Sequence, residues 1–157
     1  MIELDFDPEH RIEDFAIRVD AMGERSEHLS PVLWDIVHKI MNREARMFET
    51  RGASSGVYWS PLKSSTRKRK AGSPFPLRPL WREGLLRDSL SVQGAEYQIL
   101  DVDDDGFTFG TSHPAAEYHV TGTRHMPPRP PLIIPKKHAR EYIKDVAEYV
   151  FEDEVDD

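Results

Sequence analysis

The chain contains no cysteine, which excludes disulfides, thiolate nucleophiles, Cys-based zinc sites and iron–sulfur clusters together. Stability must therefore come from packing or from neighbours. Long apolar runs are also missing: none approaches the length needed to cross a bilayer, and the opening residues MIELDFDPEH lack the basic start and apolar stretch of a signal peptide. The protein is expected in a cytoplasm-like compartment, with no membrane partner. Positive charge is in deficit, with 21 Lys and Arg against 28 Asp and Glu and a formal net charge of -7. That balance argues against general affinity for nucleic acid, because Lys and Arg drive phosphate binding by displacing counterions. Hydrophobic residues amount to 38% and charged ones to 31%, so a modest core with long exposed segments is expected.

The charge that is present is unevenly placed. Lys63, Arg67, Lys68, Arg69 and Lys70 form a basic block, whereas Glu152, Asp153, Glu154, Asp156 and Asp157 form an acidic tail. Opposite patches of this kind suit contact between subunits. At 157 residues the chain has the size of one domain, read as a single unit over 1–151 followed by the tail at 152–157.

Ile2, Leu4 and Phe6 alternate with polar neighbours, as in a short strand or extended arm. Asp7 before Pro8 marks a helix start, since an N-cap carboxylate accepts orphan N–H groups and proline is tolerated at the first helical position; a helix over 8–22 is predicted. Ser30 and Pro31 repeat the signal. From there Leu33, Ile36, Val37, Ile40, Met41 and Phe48 recur at helical spacing, giving an amphipathic helix that ends before Gly52 and forms the spine of the fold. Residues 50–79 combine Gly52, Gly56, Pro61, Gly72, Pro74, Pro76 and Pro79 with the basic block, so a long exposed loop with one helical turn after Ser64 or Ser65 is predicted. A loop of that length is usually functional or ordered by a partner.

Leu85, Leu86 and Leu90 predict a short helix after Gly84. Residues 97–102 and 107–111 read as strands, joined by a hairpin turn of Asp103, Asp104, Asp105 and Gly106. A short helix over 114–120 closes at Gly122, and the proline-rich stretch 126–135 must be extended. Ala139, Tyr142, Ile143, Val146 and Val150 mark one face of a last helix over 136–151.

No catalytic constellation survives scrutiny, and no cofactor is expected. Asp101, Asp103, Asp105 and Gly106 match the first half of an EF-hand loop, but the bidentate Glu would fall on Ser112 and strands flank the turn. His113, His119 and His125 stand six residues apart and His138 follows; they share neither a ligand spacing nor a helix face, and read as scattered surface or interface residues. Ser89 and Asp88 have no Gly-x-Ser-x-Gly elbow around them. GASSG at 52–56 lacks the Lys-Ser/Thr of a phosphate loop. The block STRKRK, with Tyr58, Trp59 and Trp81 nearby, is the strongest nucleic-acid signal; against the net charge of -7, a patch for an acidic protein neighbour is the better reading.

Four stretches, in order, carry a resemblance: YWSPLKSSTRKRK (58–70), WREGLLRDSL (81–90), FGTSHPAAEYHVTGT (109–123) and MPPRPPL (126–132). They resemble the phage virion morphogenesis or tail completion family. The matching positions are Trp59, Pro61, Leu62, Thr66 and Lys70; Gly84, Leu86 and Ser89; Gly110, Thr111, His119 and Gly122; and Pro128, Arg129, Pro130 and Leu132. Glu83 stands where the family prefers a small hydroxyl residue, and Pro131 replaces its usual Phe.

The resemblance implies a ring, typically hexameric, that caps the tail tube and receives the head connector, built from a helix or two against an antiparallel sheet. The expected fold is thus α+β, with N-terminal and C-terminal helices packed on a small antiparallel sheet and a long exposed loop. Expected partners are further copies of the chain, the major tail tube protein, the connector proteins and the genome DNA, which passes without sequence-specific binding. The expected role is structural, not enzymatic, at the head-tail junction of a virion, with a stopper or adaptor ring one layer up, or a small nucleic-acid-binding module, as alternatives. Trp59, Pro61, Leu62, Lys63, Thr66, Arg67, Lys68, Arg69 and Lys70, with Pro128, Arg129, Pro130 and Leu132, are expected at subunit or neck-protein contacts. Asp103, Asp104 and Asp105, or the acidic tail at 152–157, are expected to face the channel, where negative walls would let DNA slide past.

Overall fold

The computed structural model describes residues 28–150 in full, together with the backbone of 2–3, 16–19 and 151. Among these residues the chain forms β1 (Ile2–Glu3), β2 (Ala16–Val19), α1 (Ser30–Glu49), α2 (Ser64–Ala71), α3 (Leu85–Ser91), β3 (Gln98–Val102), β4 (Gly106–Thr111), α4 (Ala116–Thr121) and α5 (Lys136–Phe151). The strands make one antiparallel sheet in the order β1-β2-β4-β3. The class is α+β, with helices on a small antiparallel sheet, as expected.

The spine α1 follows from its apolar stripe: Leu33, Ile36, Val37, Ile40, Met41, Met47 and Phe48 are all buried, on the face set by three- and four-residue steps. Around it sit α3, α5 and the inner face of β4, whose Phe107 and Phe109 join Leu86, Leu90, Ala139, Tyr142 and Val146 in one core. Helix α5 runs antiparallel to α1. Tyr149 Oη donates to the His28 carbonyl at 3.1 Å, Lys39 Nζ meets Asp145 Oδ2 at 2.8 Å, and Arg43 Nη1 donates to Tyr142 Oη at 3.1 Å.

The β3–β4 turn is organised by its own acids. Asp103 Oδ1 accepts the backbone N–H groups of Asp105 at 2.9 Å and Gly106 at 2.8 Å, while Asp104 Oδ1 accepts the Ser30 N–H at 3.4 Å. A carboxylate is thus held at the N-terminus of α1, where the helix dipole and orphan donors favour negative charge. The Ser30 hydrogen bonding holds the Asp104 carboxyl below its ordinary range.

One residue on the core face of α1 breaks the apolar pattern. Glu44 is 0% exposed; its Oε1 meets Arg43 Nη2 at 3.2 Å, and its Oε2 has no partner. Burial pushes this carboxyl up to about 8, with Arg43 pulling the other way.

Two expectations are corrected. The helix predicted over 8–22 gives way at 16–19 to strand β2, which pairs Ala16 with Thr108 and Ile17 with Phe107; pairing along the free edge of β4 satisfies ladder groups that a local helix signal cannot. The rest of 8–22, the alternating Leu4 and Phe6, and the tail 152–157 lie outside the described residues. Residues 50–79 are also less open than predicted: α2 is eight residues long, and Trp59 is only 6% exposed. The later elements agree with expectation, α5 over its whole length.

Candidate functional site

The four sequence stretches that carry the resemblance interlock in space. After α1 the chain reverses through Gly52, at φ 87°, where a Cβ would lie 1.7 Å from the Val57 carbonyl oxygen; only glycine fits there. The reversal lays Trp59 edge-on against Phe48, ring centroids 5.2 Å apart. Trp59 Nε1 then donates to the Pro130 carbonyl at 3.1 Å. Arg129, buried at 4% exposure, donates from Nε to Ser60 O at 2.7 Å and from Nη2 to Pro61 O at 2.9 Å, and its backbone N–H reaches His119 O at 2.6 Å.

These bonds tie 58–70, 109–123 and 126–132 into one corner. Proline supplies no N–H, so the MPPRPPL stretch has few donors, and its bare carbonyls and the arginine do the joining. Gly122 permits the turn between the last two stretches: Thr123 and Met126 exchange backbone hydrogen bonds of 2.8 and 3.1 Å, and a Cβ on Gly122 would stand 2.9 Å from Met126 O and Pro128 N. The remaining stretch, 81–90, joins through α3, where the fully buried Ser89 Oγ lies 2.8 Å from Thr111 Oγ1.

Beside this corner opens a cleft of about 440 Å³ lined from all four stretches. Leu62, Leu80, Leu86 and Met126 give it an apolar floor and Lys63, Arg69, Lys70 and Arg82 a positive rim, with the buried Arg129 behind it and Glu83 as the one lining carboxylate. His113, His119 and His125 all line it. His119 Nδ1 is buried without a partner, and burial, then the charges of Arg129 and His113, push its pKa down to about 4. The ring is neutral at pH 7. Burial likewise lowers His113.

Not every cation here is free. Lys70 Nζ donates to three carbonyls, Pro76 at 3.2 Å, Arg78 at 2.8 Å and Trp81 at 2.6 Å, which uses all its donors. Its ammonium clasps the 72–81 loop, and burial with the Arg82 charge lowers its pKa. We expect Lys70→Met to leave global stability within about 1 kcal/mol, since these bonds are only part-buried, while raising the rate of tryptic cleavage at Arg82, at the end of the clasped loop, roughly tenfold through local opening. Timed proteolysis beside urea denaturation checks both halves.

The predicted contact residues divide sharply. Pro61, Lys63, Arg67, Lys68, Arg69 and Pro128 are exposed; Leu62, Thr66, Lys70, Pro130 and Leu132 are half-buried. Trp59 and Arg129 are interior, which corrects their placement at a subunit surface: they hold the frame under it. Of the three acids expected at a channel, Asp103 and Asp105 are exposed and Asp104 is occupied at α1. The histidines from 113 to 125, read as scattered, are gathered by α4 and the Gly122 turn; His138 instead sits on α5, 2.7 Å from Glu141. The guanidinium groups of Arg87 and Arg78 stand over the Trp81 ring, 4.5 and 5.4 Å from its centre.

Among the described residues no cluster of His, Asp and Glu could hold a metal ion, and no helix is long and apolar enough to cross a membrane. No family model matches the chain, and neither a curated protein nor a solved structure matches it significantly.

Proposed function

We propose that this chain is a structural subunit of the head-tail junction of a tailed phage, a tail completion or terminator protein whose copies form a ring that caps the tail tube and receives the head connector. The observation that supports this reading is the convergence of the four resembling stretches, separated in sequence, on one interlocked corner and cleft. Their Trp, Arg, Gly and Pro residues have a joint physical task there. The same corner turns Pro61, Lys63, Arg67, Lys68, Arg69 and Pro128 outward, and a ring subunit must present unlike surfaces to its two neighbours. Asp103 and Asp105, exposed at the far end of the hairpin, supply the negative wall past which DNA slides.

Particles assembled without the chain should accumulate as separate heads and tails, and purified chain added back should restore joined particles, as counted by negative-stain microscopy. Intact joined particles in its absence would end the proposal. The exposed cations of α2 and Tyr58, 81% exposed, favour a second reading as a nucleic-acid-binding module. Binding to duplex or single-stranded DNA that persists at physiological salt would select it.

A further inference from the structure

The positive rim of the cleft continues along α2, and among the described residues none of Lys63, Arg67, Lys68 or Arg69 has a carboxylate within 4 Å. Four neighbouring cations with no counter-charge among the described residues, beside an apolar floor, ask for an acidic segment with apolar residues in it. The chain carries one: EDEVDD at 152–157, five acids around Val155.

Geometry decides whose segment it is. The C-terminal end of α5 lies at the start of α1, where Tyr149 bonds to His28. The cleft lies beyond the other end of α1, where Phe48 meets Trp59. Twenty helical residues separate those ends by about 30 Å. The hairpin gives the same polarity, its acidic turn at Ser30 and its open end leading to His113. Six extended residues reach at most about 20 Å. The acidic segment cannot fill the cleft of its own subunit.

We infer that residues 152–157 of one copy dock on the Lys63–Arg69 rim and cleft of the next copy, a head-to-tail contact of the kind that closes rings. This rests on the ring-subunit reading and names its joint.

The test uses the full chain. A fluorescein-labelled peptide of residues 149–157 is titrated by anisotropy with a variant whose own tail acids are neutralised (Glu152→Gln, Asp153→Asn, Glu154→Gln, Asp156→Asn, Asp157→Asn). Binding is expected, weakening roughly tenfold or more between about 50 and 500 mM salt as surface charges are screened, and lost with Lys63→Glu and Arg69→Glu added, while circular dichroism stays unchanged. Sedimentation velocity of a mixture then supplies the second measurement. The tail-neutralised variant and the rim-reversed variant should each stay monomeric but pair when mixed, since one retains the rim and the other the tail. No peptide binding, or binding indifferent to the rim reversal, overturns the inference. So does a wild-type chain that excludes the peptide at every dilution, which would mean the tail fills its own cleft. Rings that persist in the tail-neutralised variant would sink this joint yet leave the ring-subunit reading standing, whereas particles that join without the chain sink that reading alone.

Discussion

Trp59→Ala is expected to lower the free energy of unfolding by about 3–5 kcal/mol, a shift in urea midpoint large enough to leave a domain of this size barely folded at 37 °C. Trp59 is 6% exposed, so truncation leaves a cavity that Phe48, itself fixed in α1, cannot collapse into. The indole also holds the Pro130 carbonyl, and its loss orphans a half-buried acceptor. Trp59→Phe separates the two contributions: it keeps most of the apolar contact with Phe48 and forfeits the hydrogen bond, and should cost about 1–2 kcal/mol. Because Pro130 and Arg129 are neighbours in the corner, even the mild variant should loosen the cleft. Hydrogen exchange at the Arg129 amide, which donates to the His119 carbonyl at 2.6 Å, should rise before that of α1. Equal protection in both variants, or a loss under about 1 kcal/mol for the alanine, would show that the corner is not held by this residue.

How much of this was legible in the sequence depends on the range of the interactions that decided it. Helices α1 and α5 could be read because their apolar residues recur at helical steps and their ends are marked by Pro31, Gly52 and Pro135, all local signals. The β3–β4 hairpin was equally local, its three aspartates and Gly106 marking the turn. Strand β2 was not legible: Asp7 and Pro8 announce a helix, and the edge of β4 that Ala16–Val19 pairs with lies about ninety residues away. Nothing near Trp59 announces that it turns inward, since its partners Phe48 and Pro130 flank it at 11 and 71 residues' distance. The gathering of His113, His119 and His125 followed from a φ-positive Gly122 whose consequence appears only when the chain has folded back. Glu44 was the one missed residue with a plain signal. It stands four residues after Ile40 and four before Phe48, a charge on the apolar stripe of the spine.

That charge leads to the second large effect. Glu44 ionises at about 8 in the folded chain against an ordinary 4.5, because burial disfavours the anion and its Oε2 finds no donor. The native state therefore keeps a proton that the unfolded chain releases, so the Glu44 contribution is complete below pH 4.5 and is lost as pH rises through 8. At about 1.4 kcal/mol per unit, the penalty is roughly 3 kcal/mol at pH 7 and approaches 4–5 kcal/mol at pH 9. Glu44→Gln keeps the shape and cannot ionise. Arg43 retains its bonds to Tyr142 Oη and the Ile133 carbonyl. The variant should thus be more stable than the parent by roughly 3 kcal/mol at pH 7 and by more at pH 9, with the two converging near pH 4.5. His119 acts in the opposite sense: its pKa is lowered from 6.5 to about 4, so folding weakens as pH falls from 6.5 toward 4. Urea denaturation of both proteins from pH 4 to 9 should therefore show stability falling toward acid in the variant, a parent nearly level between about pH 4.5 and 6.5 where the Glu44 and His119 linkages oppose each other, and a fall in the parent alone from about pH 6.5 to 8. Parallel curves would mean that Glu44 is ionised in the folded chain, paired with Arg43 as a buried salt bridge.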